Sequence, residues 1–418
     1  DPSKAPVPVY PPAVDAYPLR ALHFTDATSG AQWWRPITLP QLLQLTASLS
    51  GVPAGTVKLV GGNTTIGVVK YYSSLLQDHR ILIDVSRVPE MRMRRVTSAG
   101  VRVGAAITLT ELTDLLTAAD PAGAADKRDD ALCTSTYQAI CRHLQQVAND
   151  QVRNVATWAG NIILASAHHD FPADVTLLLM AFGATVTLVD GYTVMHDVPV
   201  ADVVEKLATK GGDDIVLLSM FLPANFGRDP SVTGASKWAA VDHFKVAPRH
   251  KNAHAVVNAG FLLQVDTADA SSVPVVSAAS IVYGGVGQQI FVATRAMAAL
   301  TGQPMDGATL AKTIAALEAD IKAVGVNPRP GVPPAYRIQL AVSYVYKLFL
   351  RAQPAGTIPA NFASGALRYQ RPVSSGTQTF SPDPTTSPVA MPVNKLSAYK
   401  QTAGEATYAS DQPLPTGT

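Results

Sequence analysis

The chain has 418 residues, 47% of them hydrophobic and 15% charged, with 33 Lys and Arg against 31 Asp and Glu for a formal charge of +2. That length exceeds one ordinary core and predicts two or three domains of globular, not disordered, composition. So even a charge balance excludes the basic footprint of a nucleic-acid binder and steering to an anionic membrane surface, no stretch reaches the roughly 18 apolar residues of a membrane span, and two cysteines cannot frame a disulfide scaffold or an iron–sulfur cluster.

The opening "DPSKAPVPVYPPAVDAYP" is proline-rich, without a secretory segment or an initiator Met, and reads as a linker in a piece of a longer protein. Folded character begins near Trp33 in "QWWRPITLPQLLQL", a strand-like entry that passes into an amphipathic helix. Alternation resumes in "TVKLV", and the bare segment "GGNTTIG" follows it. "RILIDVS" at 80–86 is an apolar strand stopped by "RVPE", and "GVRVGAAITL" is another. Thr108 with Glu111 then forms a capping box that opens the helix "TELTDLLTAA". A long helical stretch is predicted over roughly 130–149. It holds Cys133 and Cys141, read as small buried hydrophobes in a reducing compartment. A second small-residue turn, "TWAGN" at 157–161, precedes the apolar "IILAS".

"DVTLLLMAFGATVTLVD" reads as helix, glycine turn and strand, and "DDIVLLSMFLP" as a buried strand. "FGRDPSVTGASKW" reads as a domain boundary. A second unit runs from Ala239 to about Arg351, with strands at 255–266 and 276–284 and two helices, the last being "AYRIQLAVSYVYKLFLR". Within it "FKVAPRHKNAH" at 244–254 reads as a solvated loop carrying three cations and two histidines. Residues 353–394, rich in Pro, Ser, Thr and Gly, form a linker, and the closing "KLSAYKQTAGEATYASDQPLP" is too short to bury a core.

Successive small residues at Gly61, Gly62, Asn63 and Thr64 leave backbone N–H groups free to converge on an anion, and a plain glycine-rich turn accounts for the segment equally well. Neither G-x-G-x-x-G nor G-x-x-x-x-G-K-[ST] occurs, so a phosphate cradle here belongs to neither common nucleotide fold. The turn at 157–161 alone reads as a strand-to-strand connection, but two such turns in one α+β domain favour a two-sided clamp on a dinucleotide. "SAHHDFPAD" places His168, His169, Asp170 and Asp174 together, but adjacent histidines point apart and no H-E-x-x-H pattern exists, which argues against a metal. Asp174 instead offers an acceptor for a ligand's hydroxyls. No G-x-S-x-G or cysteine–histidine pairing suggests a nucleophile.

In this order, "KLVGGNTTIG", "ILIDVSRVPEM", "QVRNVATWAGNI", "FPAD", "HFKVAPRHKNAHAVVNAGF", "IVYGGV" and "QRPVSSGTQTF" resemble the flavin domain of the xanthine dehydrogenase and aldehyde oxidase family of molybdenum flavoenzymes. The resemblance implies an α+β chain. It comprises an N-terminal linker over 1–32, an FAD-binding domain of the p-cresol methylhydroxylase type in two subdomains over 33–226, and a smaller α+β flavoprotein C-terminal domain over 235–352. A linker over 353–394 and the start of a truncated molybdenum-cofactor domain over 395–418 follow. It implies FAD in this chain, with molybdopterin and two [2Fe–2S] clusters in missing domains that are its partners, in a cytoplasmic homodimer that meets no nucleic acid or membrane.

Carried over by position, Leu59, Val60, Gly61, Gly62, Asn63, Thr64, Thr65 and Ile66 cradle the pyrophosphate, and Thr157, Trp158, Ala159, Gly160 and Asn161 close on it from the second turn. Leu217 packs on the isoalloxazine ring and Lys245 approaches the cofactor. The family's acceptor aspartate is Asp170 counted from Asn161 and Asp174 counted from the following helix; "FPAD" leading into that helix favours Asp174. Three positions depart from the family: Val147 stands where an aromatic is expected, Ala159 replaces a glycine, and Trp158 adds bulk. Xanthine dehydrogenases carry a Phe-Phe…Tyr-Arg segment and an Asp-rich loop serving nicotinamide nucleotide. Here "VPVADVVEKLATKGG" and the carboxylate-free "PRHKNAHA" stand instead, which implies the aldehyde-oxidase-like branch, with O2 as acceptor. A xanthine dehydrogenase flavin domain that reduces NAD, and a non-catalytic fragment without flavin, are the alternatives.

Overall fold

The computed structural model describes residues 19–53, 55–69, 79–120, 132–133, 135–210, 214–225, 237–267, 272–329, 331–353, 358–367, 376–377 and 381–412. Most of the opening linker and of the boundary expected at 226–238 lies outside the described residues. The chain divides into a unit over Asp1–Arg368 and another over Tyr369–Thr418. In the second, the described residues form single turns and the helix Ala398–Ala403, with no buried side chain among them.

The first unit opens with β1 (Leu22–Thr25) and β2 (Gln32–Arg35), followed by α1 (Leu39–Ser48). Thr38 caps α1 by accepting from the Gln41 N–H, and Leu42 buries the helix. β3 (Val57–Val60) ends at the glycine pair, the short α2 (Ile66–Val69) follows, and β4 (Ile81–Asp84) inserts parallel between β2 and β3. The order β1-β2-β4-β3 delivers the C-terminal end of β3 to the site described below. This is where parallel strands end and loops turn back, the usual place for ligands.

β5 (Arg94–Thr97) and β6 (Gly100–Gly104) lead to α3 (Leu109–Ala119), whose capping box is as predicted: Thr108 Oγ1 accepts from the Glu111 N–H while the Glu111 carboxylate accepts from the Thr108 N–H. The helix predicted over 130–149 is shorter. α4 (Thr136–Leu144) is started by Ser135 and followed by a turn in which Ala148 has φ +47°; Asn149 then caps α5 (Asp150–Arg153). α6 (Trp158–Ala167) and α7 (Asp174–Ala181) come next, with Gly183 at φ +72° turning the chain into β7 (Thr185–Asp190) as predicted. β8 (Thr193–Pro199), α8 (Val200–Lys210) and β9 (Ile215–Pro223) complete an antiparallel sheet in the order β5-β6-β9-β7-β8.

The third sheet is β10 (Lys237–Val246), β11 (Val257–Asp266), β12 (Val275–Gly284) and β13 (Phe291–Val292), all antiparallel. β10 corrects the reading of 244–254 as a loop, since Phe244, Lys245 and Val246 are its last rungs. The buried polar pair Asp242 and His243 interrupts its apolar pattern, which hid the strand from periodicity. Three helices pack after it where two were expected: α9 (Thr294–Leu300), α10 (Gly307–Val324) and α11 (Pro334–Arg351). Alternate residues of β10 serve two cores. Ala239 and Val241 join the core of the preceding sheets and helices, while Ala240 and Phe244 join the core under α9–α11. α7 lies so close to this sheet that a Cβ on Gly260 would stand 2.7 Å from that of Ala181.

Candidate functional site

Between the end of β3, the start of α6 and the turn after β10 lies a cavity of about 1230 Å³. Leu59, Val60, Gly61, Gly62, Asn63, Thr64 and Thr65 line one side, and Thr157, Ala159, Gly160 and Asn161 another. Asp174, Leu217 and Lys245 also reach it, whereas Ile66, Trp158 and Asp170 stand outside the lining. Ile66 is 56% exposed on α2. Trp158 turns into the core, its Nε1 donating to the Gly104 carbonyl at 2.9 Å, so its bulk does not narrow the site.

The segment 61–65 is a bare loop, as read from sequence. Asn63 takes φ +51°, and among the described residues the N–H groups of Gly61 through Thr65 have no recorded hydrogen-bond acceptor. The buried Asn63 Oδ1 is likewise unpartnered. A Cβ on Gly62 would stand 2.2 Å from the Val155 carbonyl oxygen, so this glycine is required by close approach of the chain before α6. The segment 157–161 is not the turn expected. It is the first turn of α6, with Thr157 as N-cap accepting from the Gly160 N–H at 3.1 Å. A Thr before an apolar run is a helix-start signal, and the glycine inside it misdirected the reading.

Asp174 is the first residue of α7 and is buried. Its carboxylate accepts from Lys245 Nζ at 2.7 Å and Asn258 Nδ2 at 2.6 Å, and lies 2.9 Å from His143 Nε2. Lys245 Nζ also donates to the Gln146 carbonyl at 3.1 Å, tying β10 to the turn after α4. Burial by itself pushes the Asp174 carboxyl up, but the Lys245 ammonium and His143 override it and hold the group well below the usual carboxylate range. Because the folded value lies below the unfolded one of 3.8, this stabilisation is present above pH 3.8 and lost only in stronger acid. Asp170 is exposed, so of the two aspartates weighed from sequence only Asp174 reaches the cavity. Sequence reasoning missed His143, Asn258 and the neighbouring His243, whose Nδ1 is 3.1 Å from that of His143; nothing in their local pattern marks them.

The other charged groups on the wall are Lys58, Arg249 and Arg329, so among the described residues four Lys or Arg side chains face one carboxylate. His254 also lines it against Phe171, and burial first and the Arg329 guanidinium second hold its imidazole below the ordinary value. Val147, at the position where the resemblance implies an aromatic, lines the wall. Among the described residues no group of three or more His, Cys, Asp or Glu is placed to hold a metal ion, and no helix is long and apolar enough to cross a membrane.

Residues 27–225 match the family model of the FAD binding domain in molybdopterin dehydrogenase, and residues 242–352 that of the CO dehydrogenase flavoprotein C-terminal domain. The chain is 30% identical over 98% of its length to the xanthine dehydrogenase of Oryza sativa subsp. japonica, of which it covers 28%. It is 26% identical over 99% of its length to aldehyde oxidase 4 of Cavia porcellus, of which it covers 30%. It thus spans less than a third of the curated relatives it matches. In fold it is similar to a chain of the carbon monoxide dehydrogenase of Hydrogenophaga pseudoflava, with TM-score 0.56 and 18% identity over 80% of this chain and 98% of that one.

The residues present fit FAD. The cavity exceeds the range of about 300–1,000 Å³ that suits drug-sized ligands, its glycine loop holds unpartnered N–H groups for a pyrophosphate, and the charged groups on its wall are mostly cations. With an FAD binding domain of the molybdopterin dehydrogenase kind over 27–225 and a CO dehydrogenase flavoprotein C-terminal domain over 242–352, the chain is an FAD-binding flavoprotein portion similar to the corresponding part of xanthine dehydrogenases and aldehyde oxidases.

Proposed function

We propose that this chain is the flavin portion of an aldehyde-oxidase-like enzyme. In this reading electrons taken from an aldehyde or N-heterocycle at a molybdopterin centre cross two [2Fe–2S] clusters in other domains of a cytoplasmic homodimer, reach FAD here and pass to O2. Bound FAD supplies the redox chemistry, and the chain's own residues bind and orient it. The loop Leu59–Thr65 and the start of α6 hold the pyrophosphate through backbone N–H groups. Leu217 packs against the ring system, and Asp174 holds Lys245 fixed at the wall. Domain limits of 33–226 and 235–352 accompany this reading.

One observation carries the choice of acceptor. Asp174, the one carboxylate lining the cavity among the described residues, is already neutralised by Lys245, and Arg249 and Arg329 add positive charge. Such a wall repels a cationic nicotinamide ring, whereas O2 needs no docking platform. The second reading, an NAD-reducing xanthine dehydrogenase, is favoured by the higher identity to the rice enzyme, 30% against 26% for the aldehyde oxidase. The test is stopped-flow reoxidation of the complete reduced enzyme. Fast reoxidation in air-saturated buffer with none by anaerobic millimolar NAD is expected; rapid anaerobic reoxidation by NAD rejects the oxidase assignment.

A further inference from the structure

Lys58 is absent from the residues that the resemblance assigns to the cofactor, yet it lines the same cavity from β3. It is half-buried, and its Nζ donates to Thr65 Oγ1 at 3.1 Å, spanning the loop from one end to the other. Among the described residues it makes no ion pair, in contrast to Lys245, which is neutralised by Asp174. An ammonium has three donors, and the Thr65 bond uses one of them. A partly desolvated cation without a counter-ion is unfavourable unless an anion joins it, and burial already holds the Lys58 ammonium below its ordinary value. The loop it spans carries the run of unpartnered N–H groups from Gly61 to Thr65, all donors and no negative charge. The place, the sign of charge and the donor count together call for an oxyanion within reach of both the loop and the ammonium.

We infer that Lys58 is a cofactor-binding residue that neutralises the pyrophosphate of the dinucleotide, while its bond to Thr65 holds the loop in the shape that presents the N–H groups. The inference rests on FAD being the occupant of this cavity. Charge-assisted hydrogen bonds contribute about 1.5–3 kcal/mol, which is roughly tenfold or more in affinity. Lys58→Met keeps the length and apolar stem and removes the charge; Lys58→Arg keeps the charge.

The experiment depletes the full protein of flavin and titrates it with FAD by calorimetry at low and high salt, alongside thermal melting of the flavin-free form. Expected are a dissociation constant for Lys58→Met raised about tenfold or more with much of its salt dependence gone, Lys58→Arg near wild type, and flavin-free melting unchanged in both. Lys58→Met binding FAD as tightly as wild type overturns the inference. So does a fall in flavin-free melting that Lys58→Arg fails to restore, because that pattern belongs to a purely structural lysine. A wild-type protein that takes up no FAD overturns the cofactor reading itself, and is distinct from a wild type that binds beside a variant that binds equally well.

Discussion

The two small-residue segments that meet at the cavity, 61–65 and 157–161, are alike in composition and opposite in hydrogen-bond state. The first is open loop, with Asn63 in the left-handed region and a run of N–H groups without acceptors among the described residues. The second is the start of a ten-residue helix whose third N–H is already taken by Thr157 Oγ1. They touch: a Cβ on Gly61 would stand 3.0 Å from Thr157 Cγ2, and one on Gly62 would collide with the Val155 backbone. Small residues therefore serve two different needs here. In the loop they let one backbone approach another and leave donors exposed, whereas Gly160 lies in a regular helix that tolerates a side chain.

Substituting the glycines in turn breaks or sharpens this contrast. Gly62→Ala carries the largest expected effect, since its Cβ meets backbone atoms of Val155 at 2.2 and 2.5 Å and one of the two segments must shift. Overpacking of this kind costs about 1–3 kcal/mol, with loss of FAD retention, read by thermal melting and flavin absorbance after gel filtration. Melting and flavin content equal to wild type would show that the approach is not tight.

Thr157→Val is intermediate. It removes the cap on the Gly160 N–H while keeping the branched shape that packs on the loop, for an expected loss of about 1 kcal/mol in chemical denaturation. An unchanged denaturation midpoint would mean that α6 starts without its cap.

Gly160→Ala is the smallest. Alanine gains roughly 0.5–1 kcal/mol over glycine inside a helix, set against a contact of 3.3 Å with Thr157 Oγ1, so the net shift lies within about 0.5 kcal/mol of zero. A loss as large as that of Gly62→Ala would erase the distinction between the two segments.

Legibility from sequence followed how local each feature is. The capping box at Thr108 and Glu111, the helix–glycine–strand passage through Gly183 and the strand at Ile81–Asp84 depend on residues within a few positions of one another, and each is present. β10 was missed because Asp242 and His243 are charged or polar by type, yet they sit at 0% and 1% exposure. Asp242 pairs there with Arg351 from α11, 2.7 Å away and more than a hundred residues later in the chain. The loop at 61–65 is legible from sequence as bare backbone that suits an anion and a plain glycine turn equally well, because whether its N–H groups are free depends on where the neighbouring elements stop.

From sequence alone come the even charge, the division into an FAD-binding and a following α+β module, and the stretch of small residues that a phosphate needs. These follow from composition, from local hydrogen-bonding preferences and from the order of the quoted segments. Between Asp170 and Asp174 the sequence favours the second, and the tertiary structure decides for it, because four residues of separation carry one to solvent and the other to the buried start of α7. It also decides that Asp174 stays ionised there. The groups that hold its charge come from three separate elements, Lys245 on β10, His143 on α4 and Asn258 on β11, brought together only when the third sheet packs against α4 and α7.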